Sequence, residues 1–521
     1  AIVETDSLLL AGAVQGGAGD VSVSTGAGSL TVTGGPGGPS VRVNGGSTID
    51  LAAGGAMSDL VIDGGVEAGT GTVTLTGDRD VQFGADGDVT TAGGHVVVTA
   101  DNDANGSGSI VMDDAALIDA AAGTIALSAN GDITLGGLQS TSSADDAVTI
   151  ISTAGGILDG GDTFVDVVTT GGQLVVQTAA GVGSADAIET QVDRIDIVNS
   201  TSGSVGINEV DDLVVEQIRQ AGPGDVTVTT GNGTLTVVAG GAGITAAQGT
   251  VSLTAGGAAA DVLLQQAVTT TGGDIAVQAG RDVTSTANGI LRTTAATGVD
   301  SGSVSIMSGG TGIVTLAGTV DTTGAAGGAA SAGGDVTITT EDGSVTLTTV
   351  DVSGGGTGGN SGSIAVTAGD VGGQLDGDVV LTSTLTAVGS AGGADGTVSL
   401  TAGGDIVDAN DGMTQITTGD LALSAATNIG TITDFVAGTG NAIDVEVSGK
   451  LTQATITEAG GQIFLNVIGD LQAASGSINP DADGAATLLL KTTGALDLGT
   501  DAGVFTLTDG DNLGLDAGTT L

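Results

Sequence analysis

Aliphatic and polar residues alternate in short runs along nearly the whole chain. Val21-Ser22-Val23, Val73-Thr74-Leu75, Ile133-Thr134-Leu135 and Val336-Thr337-Ile338 are representative, and each follows a Gly joined to Asp or Thr. A period of two places Val, Leu and Ile on one face and Thr, Ser or Asp on the other, which predicts half-buried β-strands. Many runs come in groups whose starts lie eight or nine residues apart, as at Thr72, Asp80 and Asp88 or at Asp335 and Ser344. Turns rich in Gly, Asp and Asn lie between them, and more irregular stretches separate the groups. The spacing therefore predicts a unit of roughly 20 to 25 residues, the size of one coil of a parallel β-helix. One coil cannot bury its own aliphatic face, so coils must stack; at about 4.8 Å per coil, roughly 24 coils would give a rod on the order of 110 Å. The expected fold is an all-β solenoid. Residues 210–220, a run of long side chains that could read as a short helix, match residues 5–16 and are expected to be strand.

A coarser repeat overlies the coils. Glu4-Thr5-Asp6-Ser7-Leu8 matches Glu209-Val210-Asp211-Asp212-Leu213, and at the same offset of 205 Gly19-Asp20-Val21 falls on Gly224-Asp225-Val226. After a small slip, Arg79-Asp80-Val81 falls on Arg281-Asp282-Val283. At an offset of 248, Ile195-Asp196-Ile197 meets Ile443-Asp444-Val445, and Glu458 answers to Glu209 one residue further on. These matches divide the chain into a first unit over 1–208, a second over 209–457 with about two inserted coils, and the start of a third over 458–521. Insertion by whole coils leaves a solenoid intact.

Composition sharpens this reading. The 521 residues include 98 Gly and only 4 Pro, with 5 Phe and no Trp, Tyr or Cys, so the core must be built from small aliphatics. Glycine at that level suggests corners that need positive φ, while 40% hydrophobic residues and a mean hydropathy of +0.37 exclude a disordered polyanion. Eight basic against 60 acidic side chains leave a net charge of −52, which excludes nucleic acid as a partner. All but eight of the acids are Asp, a bias expected of turns. No run of 18 apolar residues is present, and a chain without Trp and Tyr lacks the girdles of a membrane barrel.

The strand starts, for example Gly249-Thr250-Val251-Ser252-Leu253-Thr254-Ala255-Gly256-Gly257, recur over almost the entire chain. In this respect it resembles the β-helical shafts of large bacterial exoproteins, the filamentous-haemagglutinin-like adhesins and related autotransporter passengers. The resemblance implies a secreted or surface-attached bacterial protein serving in adhesion, a biofilm or an envelope coat. It extends to architecture alone.

Candidate chemistry is sparse. Asp101-Asn102-Asp103-Ala104-Asn105-Gly106 places side-chain oxygens at alternate positions with Gly sixth, like the first half of a calcium loop. Its twelfth position is Met112, so Asp113 would supply the missing carboxylate, and the expected ligands are Asp101, Asp103, Asn105 and Asp113. The alternative is a polar turn between Val98 and Ile110. Asp481-Ala482-Asp483-Gly484 is a weaker echo. The pairs Asp113-Asp114, Asp145-Asp146 and Asp211-Asp212 do not make an acid and base in one cleft, because adjacent residues on a strand point to opposite faces. His95, the only histidine, reads as a turn or surface residue, and no enzymatic activity is expected. Thr-x-Thr pairs such as Thr74/Thr76, Thr337/Thr339 and Thr506/Thr508 bring ice-binding solenoids to mind, but their irregular spacing fits ordinary outward strand positions.

The function expected is a structural rod or filament, with the shaft or binding region of an adhesin as the alternative. A binding role would need a non-repeating aromatic or basic patch, for which Arg194, Arg219 and the Phe435 and Phe464 region are the candidates. About two net charges per coil make the rod self-repelling, so saline or calcium-bearing surroundings are expected. Ile2-Val3 and Leu513-Gly514-Leu515 look like ordinary coil residues and not caps, from which end-to-end or lateral self-association is expected.

Overall fold

The computed structural model describes residues 1–14, 19–34, 39–161, 163–371, 373–374, 376–410, 412–474, 476–479, 486–498 and 512–518. Asp481 to Gly484 and the Thr506/Thr508 pair lie outside the described residues. The fold is all-β, with parallel sheets stacked as a β-solenoid of about 19 turns. It divides into two compact units, residues 1–235 with 240–248 and residues 236–239 with 249–521.

In the first unit the alternation acts as the sequence predicts. Strand Val73–Gly77 points Val73 and Leu75 inward, both fully buried, and lies in register with Ile49 and Leu51 of the coil before it and Val96 and Val98 of the coil after it. Each buried Val or Leu contributes roughly 1.5–3 kcal/mol, and the parallel ladder pairs the backbone between coils. Residues 213–223 form one long strand, Leu213–Pro223, with a bulge where Ile195 and Asp196 face it, as the match to residues 5–16 predicts. The second unit repeats this scheme with longer coils. Ile195 meets Val215 after 20 residues, whereas Ile364 meets Val398 after 34. The extra length lies in glycine-rich loops that bond backbone to backbone: Gly324 N–H donates to Ser353 O at 2.8 Å, Gly354 to Val388 O at 2.9 Å and Gly358 to Ala391 O at 3.0 Å. These loops account for fewer coils than the roughly 24 expected.

The corners revise the expected role of glycine. Gly273, Gly302, Gly334, Gly362 and Gly396 each lie just before a strand of one column, and none has positive φ. Their coils approach too closely for a side chain: a Cβ on Gly302 would stand 2.2 Å from Gly273 O, and one on Gly334 would stand 1.9 Å from Gly302 O. Buried threonines complete the corner. Thr293 and Thr322 donate their hydroxyls to Gly302 O and Gly334 O at 2.5 and 2.6 Å. Glycine here is required mainly by close coil-on-coil contact, and Thr by the carbonyl that the contact brings inside.

Candidate functional site

Much of the chain's acidity is engaged in stacking. An Asp at the start of a strand accepts the backbone N–H of the coil above: Asp80 from Ser109 at 2.9 Å, Asp132 from Gly156 at 2.8 Å, Asp274 from Ser303 at 2.7 Å, Asp335 from Ser363 at 2.8 Å. Such charge-assisted bonds are stronger than neutral ones. His95 takes the same part, its Nδ1 accepting the Thr124 N–H at 3.1 Å. The sequence signal was present, since a short polar side chain precedes the first inward aliphatic residue, much as a cap precedes a helix. The matching arginines also act alike. Arg79 Nε donates to Asp59 at 2.6 Å and Arg281 Nε to Asp261 at 2.8 Å, each guanidinium making a second bond to the same carboxylate. The Arg281 hydrogen bond holds the Asp261 carboxyl below its ordinary range.

The expected calcium loop folds on itself. Asp101, at φ 56°, accepts the N–H groups of Gly106 and Ser107 at 3.0 and 3.2 Å, and Asp103 accepts from Asn105 Nδ2 at 2.9 Å. Asp113 lies at another corner, where it caps the Ala115 N–H at 3.0 Å. Among the described residues, three carboxylates converge within 4.8 Å at Asp159, Asp166 and Glu189 and at Asp342, Asp370 and Asp376, and neither group includes Asp101, Asp103 or Asp113. Burial pushes the Glu189 carboxyl up, with a hydrogen bond from Asn208 opposing it. One coil away, Glu209 is 2% exposed and accepts from Thr190 Oγ1 at 2.8 Å and from the Val192 and Val210 N–H groups at 3.0 and 2.9 Å. Burial nonetheless pushes it up to about 7.

The paired acids are divided between separate partners. Asp211 accepts from Gln191 Nε2 at 3.1 Å, while Asp212 accepts the Thr234 N–H at 2.7 Å. Asp145 pairs with Arg194 at 2.9 Å, and Arg194 also holds Glu216 at 3.1 Å. Arg219 is exposed on the strand Leu213–Pro223. Phe464 is packed: a small cluster of Phe464, Leu489 and Ala442 is covered by Ile432 and Phe435 from the antiparallel pair Thr431–Asp434 and Thr439–Asn441. Lys491 lies 5.4 Å from the Phe464 ring centroid and donates to Gly438 O. The tip of this hairpin lifts Val436 into solvent, 96% exposed.

One surface differs in kind from these. Seven in-register strands of the second unit, from Val251–Ala255 to Asp420–Ala425, form a sheet whose central outward positions run from Ser252 and Thr254 through Thr337 and Thr339 to Ala422 and Ser424. All are Ser, Ala or Thr except Gln278 and Met307, and none is charged.

Compared with known proteins, the chain matches no protein family, no curated protein and no solved structure. It is a tandem-repeat β-solenoid. Its Thr-x-Thr pairs are divided among different surfaces, with Thr337/Thr339 on the uncharged sheet and Thr431/Thr433 on the hairpin. Among the described residues no helix is long and apolar enough to cross a membrane.

Proposed function

We propose that the chain is an extracellular structural protein, a β-solenoid shaft that assembles into a surface fibre, matrix or envelope coat without enzymatic activity. The observation that supports this reading is the use of its abundant polar residues. Asp caps the next coil's N–H groups, Thr binds the corner carbonyls and Gly admits the close contact, so much of the side-chain chemistry serves stacking. The likeness to filamentous-haemagglutinin-like shafts suggests a bacterial surface as its setting. Calcium enters the proposal as a counter-ion for a chain at −52, with the two converging carboxylate groups as its places of contact. Electron microscopy and fibre diffraction of the purified chain, with and without calcium, test the reading. Filaments with an axial reflection near about 4.8 Å are expected; particles that stay separate and globular in every condition would overturn it.

A second reading, the binding region of an adhesin, is favoured by the hairpin that carries Val436 off the sheets. Its test is adhesion to bacterial or host surfaces before and after Val436→Asp.

A further inference from the structure

A chain carrying −52 repels its own copies wherever carboxylates face outward. The seven-strand sheet from Val251–Ala255 to Asp420–Ala425 is an exception. Its central outward positions carry no charge, and Ala276, Ser305, Thr337 and Thr367 stand exposed. The carboxylates at its borders are turned along the stack. Asp274, Asp335 and Asp420 accept N–H groups of the following coil at 2.7–2.8 Å, and Glu341 accepts the Gly310 N–H at 2.8 Å. A parallel sheet exposed on one side is unusual, because such sheets are ordinarily covered on both faces.

We infer that this sheet is a lateral interface for a second copy of the same chain, paired face to face. The inference rests on the reading of the chain as an assembling shaft and names the surface by which shafts join sideways. Its occupant follows from the electrostatics: two copies approaching here bring together the surface with least repulsion, and salt favours the encounter by screening the flanking acids. Seven strands at about 4.8 Å, each about five residues wide at about 3.3 Å, offer on the order of 500 Å² per partner. A standard stable interface uses about 800 Å² per partner, so a single pair associates weakly and bundles gain strength through the number of coils aligned. A two-fold axis lying in the interface along the central strand, Val336–Thr340, would set Thr337 against its own copy.

The chain has no cysteine, so one introduced thiol reports one surface. Thr337→Cys on this sheet and Thr346→Cys on the strand Val345–Leu347 of another sheet are oxidised at equal concentration in low and physiological salt. At least tenfold faster disulfide dimerisation of T337C than of T346C, rising with salt, is the expected result. Thr337→Asp, in the cysteine-free chain, should abolish the association seen by sedimentation while leaving the melting temperature unchanged. Equal cross-linking of the two thiols, or persistence of the dimer in T337D, overturns the inference. Filaments that still form in microscopy under either of those results leave the shaft reading standing, with ends in place of faces as the contact. A monodisperse chain whose Thr337 surface adsorbs instead to ice crystals would assign the sheet to a lattice other than itself and likewise overturn the inference.

Discussion

Strands Ile49–Ala53 and Val251–Ala255 stand 202 residues apart in the chain and occupy matching places in two coils, each followed by an Arg that grips the Asp 20 residues before it. Inward they are alike, with Ile49 and Leu51 answering to Val251 and Leu253. Outward they diverge. The sheet that begins near Ile49–Ala53 in the first unit carries Asp50, Val97, Ile151 and Val175 and ends among the charges of Arg194, Asp196 and Glu216. The corresponding sheet of the second unit carries Ser, Ala and Thr and no charge at its centre. Stacking constrains the buried alternate positions and the corners, because a neighbouring coil must fit them at about 4.8 Å. The exposed alternate positions answer to whatever meets the surface.

The sharpest way to break this comparison is at a corner that both units need. Gly334→Ala would place a methyl 1.9 Å from Gly302 O, so chemical denaturation should record a loss of about 2–4 kcal/mol from the second unit. Gly45→Ala, at φ 65° with nothing within 4 Å of the new carbon, should cost only about 1 kcal/mol through its backbone conformation. A similar cost at both sites would remove close contact as the reason for glycine.

A smaller effect is expected from Glu209, which has a coil on either side, whereas Glu4 at the matching place in the repeat is exposed. Burial raises the Glu209 carboxyl from 4.5 to about 7, so its protonated form favours the folded state. The stability it contributes is complete below about pH 4.5 and is lost as the pH rises through about 7, a change on the order of 2 kcal/mol. Melting of the first unit across that range should show the decline, and Glu209→Gln should flatten it. A decline that survives the substitution would belong to other acids.

The arginine clamps give the smallest difference. Asp59→Ala removes a two-pronged ion pair and the cap on the Asp80 N–H, and should destabilise the first unit by about 1 kcal/mol. Asp261→Ala should destabilise the second unit less, because Arg281 is more exposed than Arg79, 47% against 32%. Thermal melts of the two variants check the order.

Much of the fold is legible in the chain because the inward positions obey a strict period of two, and even residues 210–220 resolve as strand once matched to their copy. Glycine and aspartate are harder. A Gly needed for positive φ and a Gly needed for a carbonyl 1.9 Å away read identically in sequence, and so do an Asp in a turn and an Asp that caps the coil above. The loop at Asp101, Asp103 and Asn105 shows the same limit, since carboxylates that fold a loop onto its own N–H groups have the spacing of carboxylates that would face an ion. The uncharged sheet is hidden for another reason. Which strands share a face depends on coil length, and coils of 20 to 34 residues erase any fixed interval between Ser252 and Ala422.

That variation in coil length has a mechanical consequence. Tension along the stack loads the bonds between coils, so an end coil would peel away as a unit before the next is disturbed. Each release would then lengthen the chain by the contour of one coil, from about 70 Å for 20 residues to about 115 Å for 34. A molecule held at both ends would pay out in unequal steps, short from the first unit and long from the second, and the order of those steps in a force trace would read back the order of its coils.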